Sequence, residues 1–138
     1  MMKLPMFVVL VYFLSGCTSI SNLSKDGEFS SFVDNKIALK RQVLICKDQP
    51  LKTEGGNHLD YELVYNVNSI ETCAFGKTIG ILPIGSRLKI MKIEKHNVID
   101  VESTAKIYFL GTANLPNGKS IEFYYLYGFE GFYGNQPW

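Results

Sequence analysis

The alternation of hydrophobic and polar positions divides the chain into an apolar leader, a short polar segment and a long region of strand-like sequence. Residues 6–14 are continuously apolar, but a membrane span needs about 20 helical residues, so this run is too short to cross a bilayer. A short apolar run after one early positive charge, here Lys3, is typical of a secretory signal peptide, which is removed from the mature protein. Residues 18–25 are small and polar, which predicts a flexible tether.

The first folded elements are predicted to be a short helix and a strand. Phe29, Phe32 and Val33 fall on one helical face, and Asp26 can cap the helix that carries them. This pattern extends for one or two turns only. Residues 37–46 are rich in strand-forming residues and contain neither glycine nor proline, so they predict the first strand.

Turn signals divide the rest of the chain into further strands. Pro83 presets φ and Gly85 accepts a positive φ, which predicts a turn between a short apolar strand and a longer alternating one. The Asn117-Gly118 pair predicts a tight hairpin, because both residues tolerate a positive φ. A polar loop is predicted at 47–60, an edge strand at 61–67, and further strands at 76–82, 87–95, 98–101, 105–113 and 121–127.

The end of the leader resembles a bacterial lipobox. Leu14-Ser15-Gly16-Cys17 closes the apolar run, and the resemblance implies cleavage before Cys17, which would carry a diacylglycerol and an amide-linked acyl chain. Thr18 is not the aspartate that resembles an inner-membrane retention signal, which favours the periplasmic face of the outer membrane. A Gram-positive origin would instead place the protein outside the plasma membrane. The alternatives are an ordinary signal peptide with Cys17 as a thiol, or a short buried helix in a cytosolic protein.

A second resemblance concerns the fold. The segment Gly80-Ile81-Leu82-Pro83-Ile84-Gly85, followed by an alternating strand, is similar to bacterial SH3-like domains. It implies a mainly β fold, a small, partly open SH3-like barrel of five to seven strands, with one short helix before the first strand. The chain is accordingly divided into a signal peptide at 1–16, a lipidated tether at 17–27 and a single β domain at 28–138.

Composition limits the classes of partner and the redox chemistry. The 138 residues include 14 Lys plus Arg against 13 Asp plus Glu, so no net field draws the chain to nucleic acid, and nucleic-acid binding is not expected. Beyond Cys17, only Cys46 and Cys73 remain. An oxidising compartment allows them to form a disulfide; the alternative is two separate buried thiols.

No residue pattern predicts catalysis, a metal site or a cofactor. The two histidines, His58 and His96, lie in separate segments at no recognisable metal-ligand spacing. A cysteine nucleophile would need a nearby histidine, and a thiolate in the periplasm tends to be oxidised. We therefore expect a protein that is not an enzyme.

The aromatic residues after the predicted hairpin are the candidate binding surface. Phe129, Phe132, Tyr133 and Trp138 either complete the core or form an interface, since such side chains are common interface anchors. We expect a lipid-anchored binding protein that recognises a protein of the envelope, in one version an immunity lipoprotein against an envelope-targeting toxin. The alternatives are an envelope structural module that binds peptidoglycan or an assembly machine, and an enzyme that uses the His58 loop.

Overall fold

A computed structural model of the chain describes residues 18–65, 72–73, 76–98 and 104–138. Within these ranges the chain is mainly β, as predicted, and its one helical element is a 3₁₀ turn at Ser30–Phe32. The nine strands are β1 Thr18–Asn22, β2 Lys36–Ala38, β3 Val43–Lys52, β4 His58–Val64, β5 Lys77–Leu82, β6 Arg87–Val98, β7 Lys106–Asn114, β8 Ser120–Phe129 and β9 Phe132–Tyr133.

All nine strands belong to one open sheet with the order β1-β6-β7-β8-β4-β3-β5, while β2 also pairs with β6 and β9 with β8. The pairing is antiparallel except between β4 and β8, which are parallel. Nine strands exceed the five to seven predicted. Three strands are added, because the predicted tether contributes β1, the predicted first strand is divided in two, and the two-residue β9 follows β8. The strand predicted at 98–101 is not counted separately, since Val98 ends β6 and residues 99–101 lie outside the described residues.

The prediction of a flexible tether at 17–27 is wrong for residues 18–22. They form β1, which pairs with β6 from Thr18↔Val98 to Asn22↔Glu94. The N–H of Leu23 then donates to the carbonyl oxygen of Ile93 at 2.8 Å. Main-chain hydrogen bonding to β6 orders a segment whose own side chains contribute little burial, and main-chain pairing cannot be read from side-chain polarity.

The predicted strand 37–46 is interrupted because the chain turns into other partners between β2 and β3. The N–H of buried Leu39 donates to the Ser86 oxygen at 2.8 Å, and the N–H groups of Lys40 and Arg41 both donate to the Pro137 oxygen. The short helix predicted before this strand is a single 3₁₀ turn. It ends at Val33, whose main chain is already extended. Asp34 follows with a φ of 62°, and its N–H donates to the Ile90 oxygen on β6, which directs the chain into β2.

The predicted loop at 47–60 is mostly a hairpin. Strand β3 continues to Lys52 through an irregularity between Lys47 and Leu51, and β4 begins at His58, so only residues 53–57 form the turn. The strand predicted at 61–67 is present in part as β4. Its predicted position at the edge of the sheet is wrong, because β4 lies between β3 and β8. We call the part of this hairpin from Lys47 to Asp60 the arm.

The core lies on one face of the sheet and is largely aliphatic and aromatic. Phe109 and Phe123, on neighbouring strands, are fully buried at its centre. Gly111 allows β6 to approach β7 closely, because a Cβ atom there would collide with the main-chain oxygen of Lys89. The turn predicted at Pro83 and Gly85 is present between β5 and β6, with a φ of 91° at Gly85.

Candidate functional site

The four aromatic residues predicted from the sequence lie in two different environments. Trp138 packs against the core, where its ring stacks on Phe109 with centroids 5.8 Å apart and planes 18° apart. It also stacks on Tyr127, at 6.4 Å and 13°. Tyr133 packs on Tyr127 and on Phe29. Trp138 and Tyr133 are therefore mainly structural.

Hydrogen bonds hold the segment that carries Trp138. The Tyr125 hydroxyl donates to Gln136 Oε1 at 2.6 Å, and Gln136 Nε2 donates to the Tyr127 oxygen at 3.0 Å. Burial raises the pKa of Tyr125 above its ordinary value, so its hydroxyl remains a donor over a wider range of alkaline pH. These contacts fix residues 136–138 across the aromatic core.

Phe129 and Phe132, in contrast, are exposed. They flank the turn between β8 and β9, with 42% and 75% of their surface accessible. The turn itself is ordered, because the Glu130 N–H donates to the Ala105 oxygen at 2.8 Å and Lys95 Nζ lies 2.9 Å from the Glu130 carboxylate. We call residues 129–132 the aromatic tip.

Cys46 and Cys73 are joined by a disulfide in the structure, with their Cα atoms 6.0 Å apart. Cys46 lies on β3 and is buried. The Cys73 N–H donates to Thr78 Oγ1 at 2.9 Å. The bond thus holds the segment before β5 against β3. Cys17, the predicted lipid-attachment residue, lies outside the described residues.

A buried carboxylate, which the sequence analysis missed, lies on the sheet face opposite the core. Glu94 is fully buried. Its Oε2 lies 3.1 Å from Lys92 Nζ and accepts the Glu54 N–H at 3.1 Å, and its Oε1 lies 3.0 Å from His96 Nε2. Lys92 also binds the Glu54 carboxylate at 2.8 Å. The network holds the arm against the outer face of β6.

Each donor in this network favours the ionised carboxylate. Burial alone would raise the pKa of Glu94, but the hydrogen bonds from His96, from the Glu54 main chain and from Lys92 together hold it below its ordinary value. All three groups that contact the carboxylate belong to this chain, and they join the arm to β6. We read it as structural. Local sequence does not predict this network, because Glu54 on the arm and Glu94 on β6 are brought together only in the folded sheet.

Two cavities lie beside the first residues of β4 and β8. Their parallel pairing covers only three pairs, from Tyr61↔Phe123 to Leu63↔Tyr125. The residues before this seam on the two strands line a cavity of 530 Å³ and a second cavity of 580 Å³. His58, Leu59 and Glu122 line both cavities. We call the two cavities together the seam groove.

The seam groove is lined by main chain of two strands and by both apolar and charged side chains. Residues 58–60 and 120–122 form no register pairs with one another, and all six line the cavity of 530 Å³. Ile79 and Ile121 add apolar wall, and Lys119 adds a charge. The sequence singled out His58 but not its surroundings, because strand order, which creates the gap, is not encoded in local periodicity.

Among residues 18–65, 72–73, 76–98 and 104–138, no group of three or more His, Cys, Asp or Glu side chains is arranged to hold a metal ion. In the same part of the chain, no helix combines the length and apolar character that crossing a bilayer requires. Comparison with protein-family models, with curated proteins and with solved structures finds no match to this chain.

Proposed function

We propose that this chain is a lipid-anchored, non-enzymatic binding protein on the periplasmic face of the outer membrane, which recognises another protein of the cell envelope. The lipobox-like sequence at 14–17 supports the anchor on Cys17. Two or three acyl chains suffice for stable attachment. The proposal includes no cofactor and no metal. The observation that supports recognition of a protein is the seam groove.

The seam groove would bind its partner as an added strand. In this mode, main-chain hydrogen bonds supply affinity, and pockets for alternate side chains supply specificity. The cavity of 530 Å³ is walled in part by Ile45, Ile79 and Ile121, whereas the cavity of 580 Å³ is walled in part by Thr53, Asn57 and Thr112. A fitting segment is therefore extended and alternates apolar with polar side chains. The network around Glu94 supports this role because it fixes the arm that forms one wall.

The proposal also covers the type of β fold and the class of protein partner. A partly open, SH3-like barrel is supported by the Pro83–Gly85 turn, which joins a short strand to a long one as in the resemblance that suggested it. In the version in which the partner is an envelope-targeting toxin, the protein is an immunity lipoprotein, and filling the seam groove would prevent the toxin from using the bound segment.

Photocrosslinking in the envelope tests the groove. A photoreactive amino acid at exposed Ser120 on β8, in the full-length protein, should give one protein adduct, and the same group at exposed Lys36 on β2 should give none. Leu59→Arg, which places a charge in both cavities, should abolish the adduct. If Ser120 captures only cell-wall fragments or nothing, the result supports the alternative function. In that case the protein is an envelope module that binds peptidoglycan or an assembly machine.

The non-enzymatic part of the proposal has its own test. His58→Ala should leave any chemical activity of the envelope unchanged, because the described neighbours of His58 form a groove without an activated nucleophile. His96→Ala should act only through the stability of the Glu94 network. A His58→Ala variant that fails to complement a deletion strain at normal protein level, yet still gives the Ser120 adduct, would instead support catalysis.

A further inference from the structure

We infer that the aromatic tip at 129–132 rests in the lipid surface to which the protein is anchored. The inference depends on the proposed lipid on Cys17. Its basis is the sheet register, which places the start of β1 and the aromatic tip at the same end of the sheet. Exposed aromatic rings at that end meet the membrane before any other part of β8 does.

The register crosses the sheet in four steps. The row runs from Phe132 through Phe129, Lys106 and His96 to Ile20, which lies two positions after Thr18. Neighbouring strands lie about 4.8 Å apart, so β1 and β8, three strand spacings apart, are separated by about 14 Å. The aromatic tip is thus close to the point at which the anchor enters the fold.

The anchor has little slack. Cys17 directly precedes β1, and adjacent Cα atoms are about 3.8 Å apart. Because Thr18 is already paired with Val98, no flexible residues separate the lipid from the sheet. A domain attached in this way lies against the bilayer and must present one of its surfaces to the headgroups.

The chemistry of the aromatic tip fits that surface. Phe129 and Phe132 are two of the five large hydrophobic residues that are exposed in the described structure, and they lie within four positions of each other. The intervening charge of Glu130 is paired with Lys95 at 2.9 Å. Lys106, opposite Phe129 in the register, adds a positive charge that suits anionic headgroups. Amphipathic surfaces of this kind bind by burying apolar side chains at the headgroup boundary.

This orientation directs the seam groove away from the membrane. Glu122 precedes Phe129 by seven positions on β8, which corresponds to about 23 Å along a strand. The groove therefore opens toward the periplasm while the aromatic tip faces lipid. Lipid anchoring and partner recognition then use opposite ends of one strand.

The test uses the full-length lipidated protein in vesicles of phosphatidylethanolamine and phosphatidylglycerol. Amide hydrogen exchange is compared between two samples. One is the lipidated protein bound to vesicles, and the other is the unlipidated Cys17→Ser protein in detergent-free solution. Amides at 129–132 should exchange at least threefold more slowly on vesicles, whereas those of the Pro83–Ser86 turn, at the opposite end of β6, should not change. Equal exchange at both places would overturn the inference.

A fluorescent label at the tip provides a second measurement. Phe132→Cys carrying a nitrobenzoxadiazole group should be quenched at least twofold by lipids with a headgroup-proximal nitroxide. Ile84→Cys is the matched control, because Ile84 is also exposed, at 67%, and lies at the other end of the sheet. Absence of quenching at position 132 would refute the tip contact.

Mass spectrometry separates the two levels of the proposal. If the mature protein lacks the diacylglycerol mass on Cys17, the proposed anchoring fails, and this inference fails with it. If that mass is present but the tip is neither protected nor quenched, the anchor stands and only the orientation is wrong.

Discussion

Replacing Trp138 by alanine tests whether the last residues of the sequence are part of the core. The substitution removes a ring that stacks on Phe109 and Tyr127 and that also packs against Phe32 and Tyr125. An interface residue with no structural role would leave the free energy of unfolding unchanged. A core residue would lower it substantially, because its loss leaves a cavity between aromatic side chains.

The size of the effect follows from the buried area. A tryptophan buries about 150–250 Å², and the lower end applies because Trp138 is partly exposed. At about 25 cal/mol per Å², 150 Å² corresponds to about 4 kcal/mol. A compact denatured state reduces this value by about 10–40%, while the lost aromatic pairing adds about 0.5–1.5 kcal/mol. We expect a net destabilisation of about 3 kcal/mol, within the range of about 3–5 kcal/mol known for such truncations.

Urea unfolding followed by circular dichroism measures the change, since this signal does not depend on the tryptophan that is removed. Phe132→Ala is the matched control and should alter stability by less than about 0.5 kcal/mol, because its ring is exposed. A loss below about 1 kcal/mol for Trp138→Ala, with an unchanged denaturant slope, would refute the assignment of Trp138 to the core.

Three further predictions concern stability. Cys73→Ser should lower the free energy of unfolding by about 3–4 kcal/mol, the loop-closure value for a bond that spans 27 positions; urea unfolding with and without reductant measures it, and equal midpoints would contradict it. Gly111→Ala should cost about 1–3 kcal/mol or more, because the new methyl group meets main chain, whereas Gly134→Ala, where the added atom meets open space, should be nearly neutral by the same assay. The depressed pKa of Glu94 contributes stability above the unfolded glutamate pKa of about 4.3 that is lost as pH falls through the lower folded value; Glu94→Gln should flatten the acid limb of a stability–pH curve, and an unchanged limb would exclude the network as its cause.

Local sequence predicts those parts of the sheet whose shape is set locally. The β7–β8 hairpin is an example. Gly118 has a φ of 87°, and the side chain of Asn117 accepts the Lys119 N–H at 2.9 Å, so both residues of the Asn-Gly pair act within the turn itself. The central position of β8 was likewise indicated, because both of its faces carry apolar residues. The Pro83–Gly85 turn follows the same rule.

Other features depend on partners that are distant in sequence. Strand β1 forms because β6 supplies main-chain partners, and Trp138 becomes structural because Lys40 and Arg41 bind the neighbouring Pro137 carbonyl group. Neither contact produces a periodic pattern of hydrophobic residues from which it could be predicted. The seam groove is a clearer case, since it is a gap between strands rather than a set of residues. From sequence, Phe129 and Trp138 look alike, and only their packing distinguishes a surface residue from a core residue.

The parallel seam has a consequence for the time course of folding. It joins Tyr61 to Phe123, about 60 residues later in the chain, whereas β3 and β4 meet through a five-residue turn. Contacts between distant segments slow folding, because the entropy of closing a long loop is lost before the contact forms. Strand β8 is also the last long strand to be synthesised. The sheet therefore cannot be completed until nearly the whole polypeptide is available.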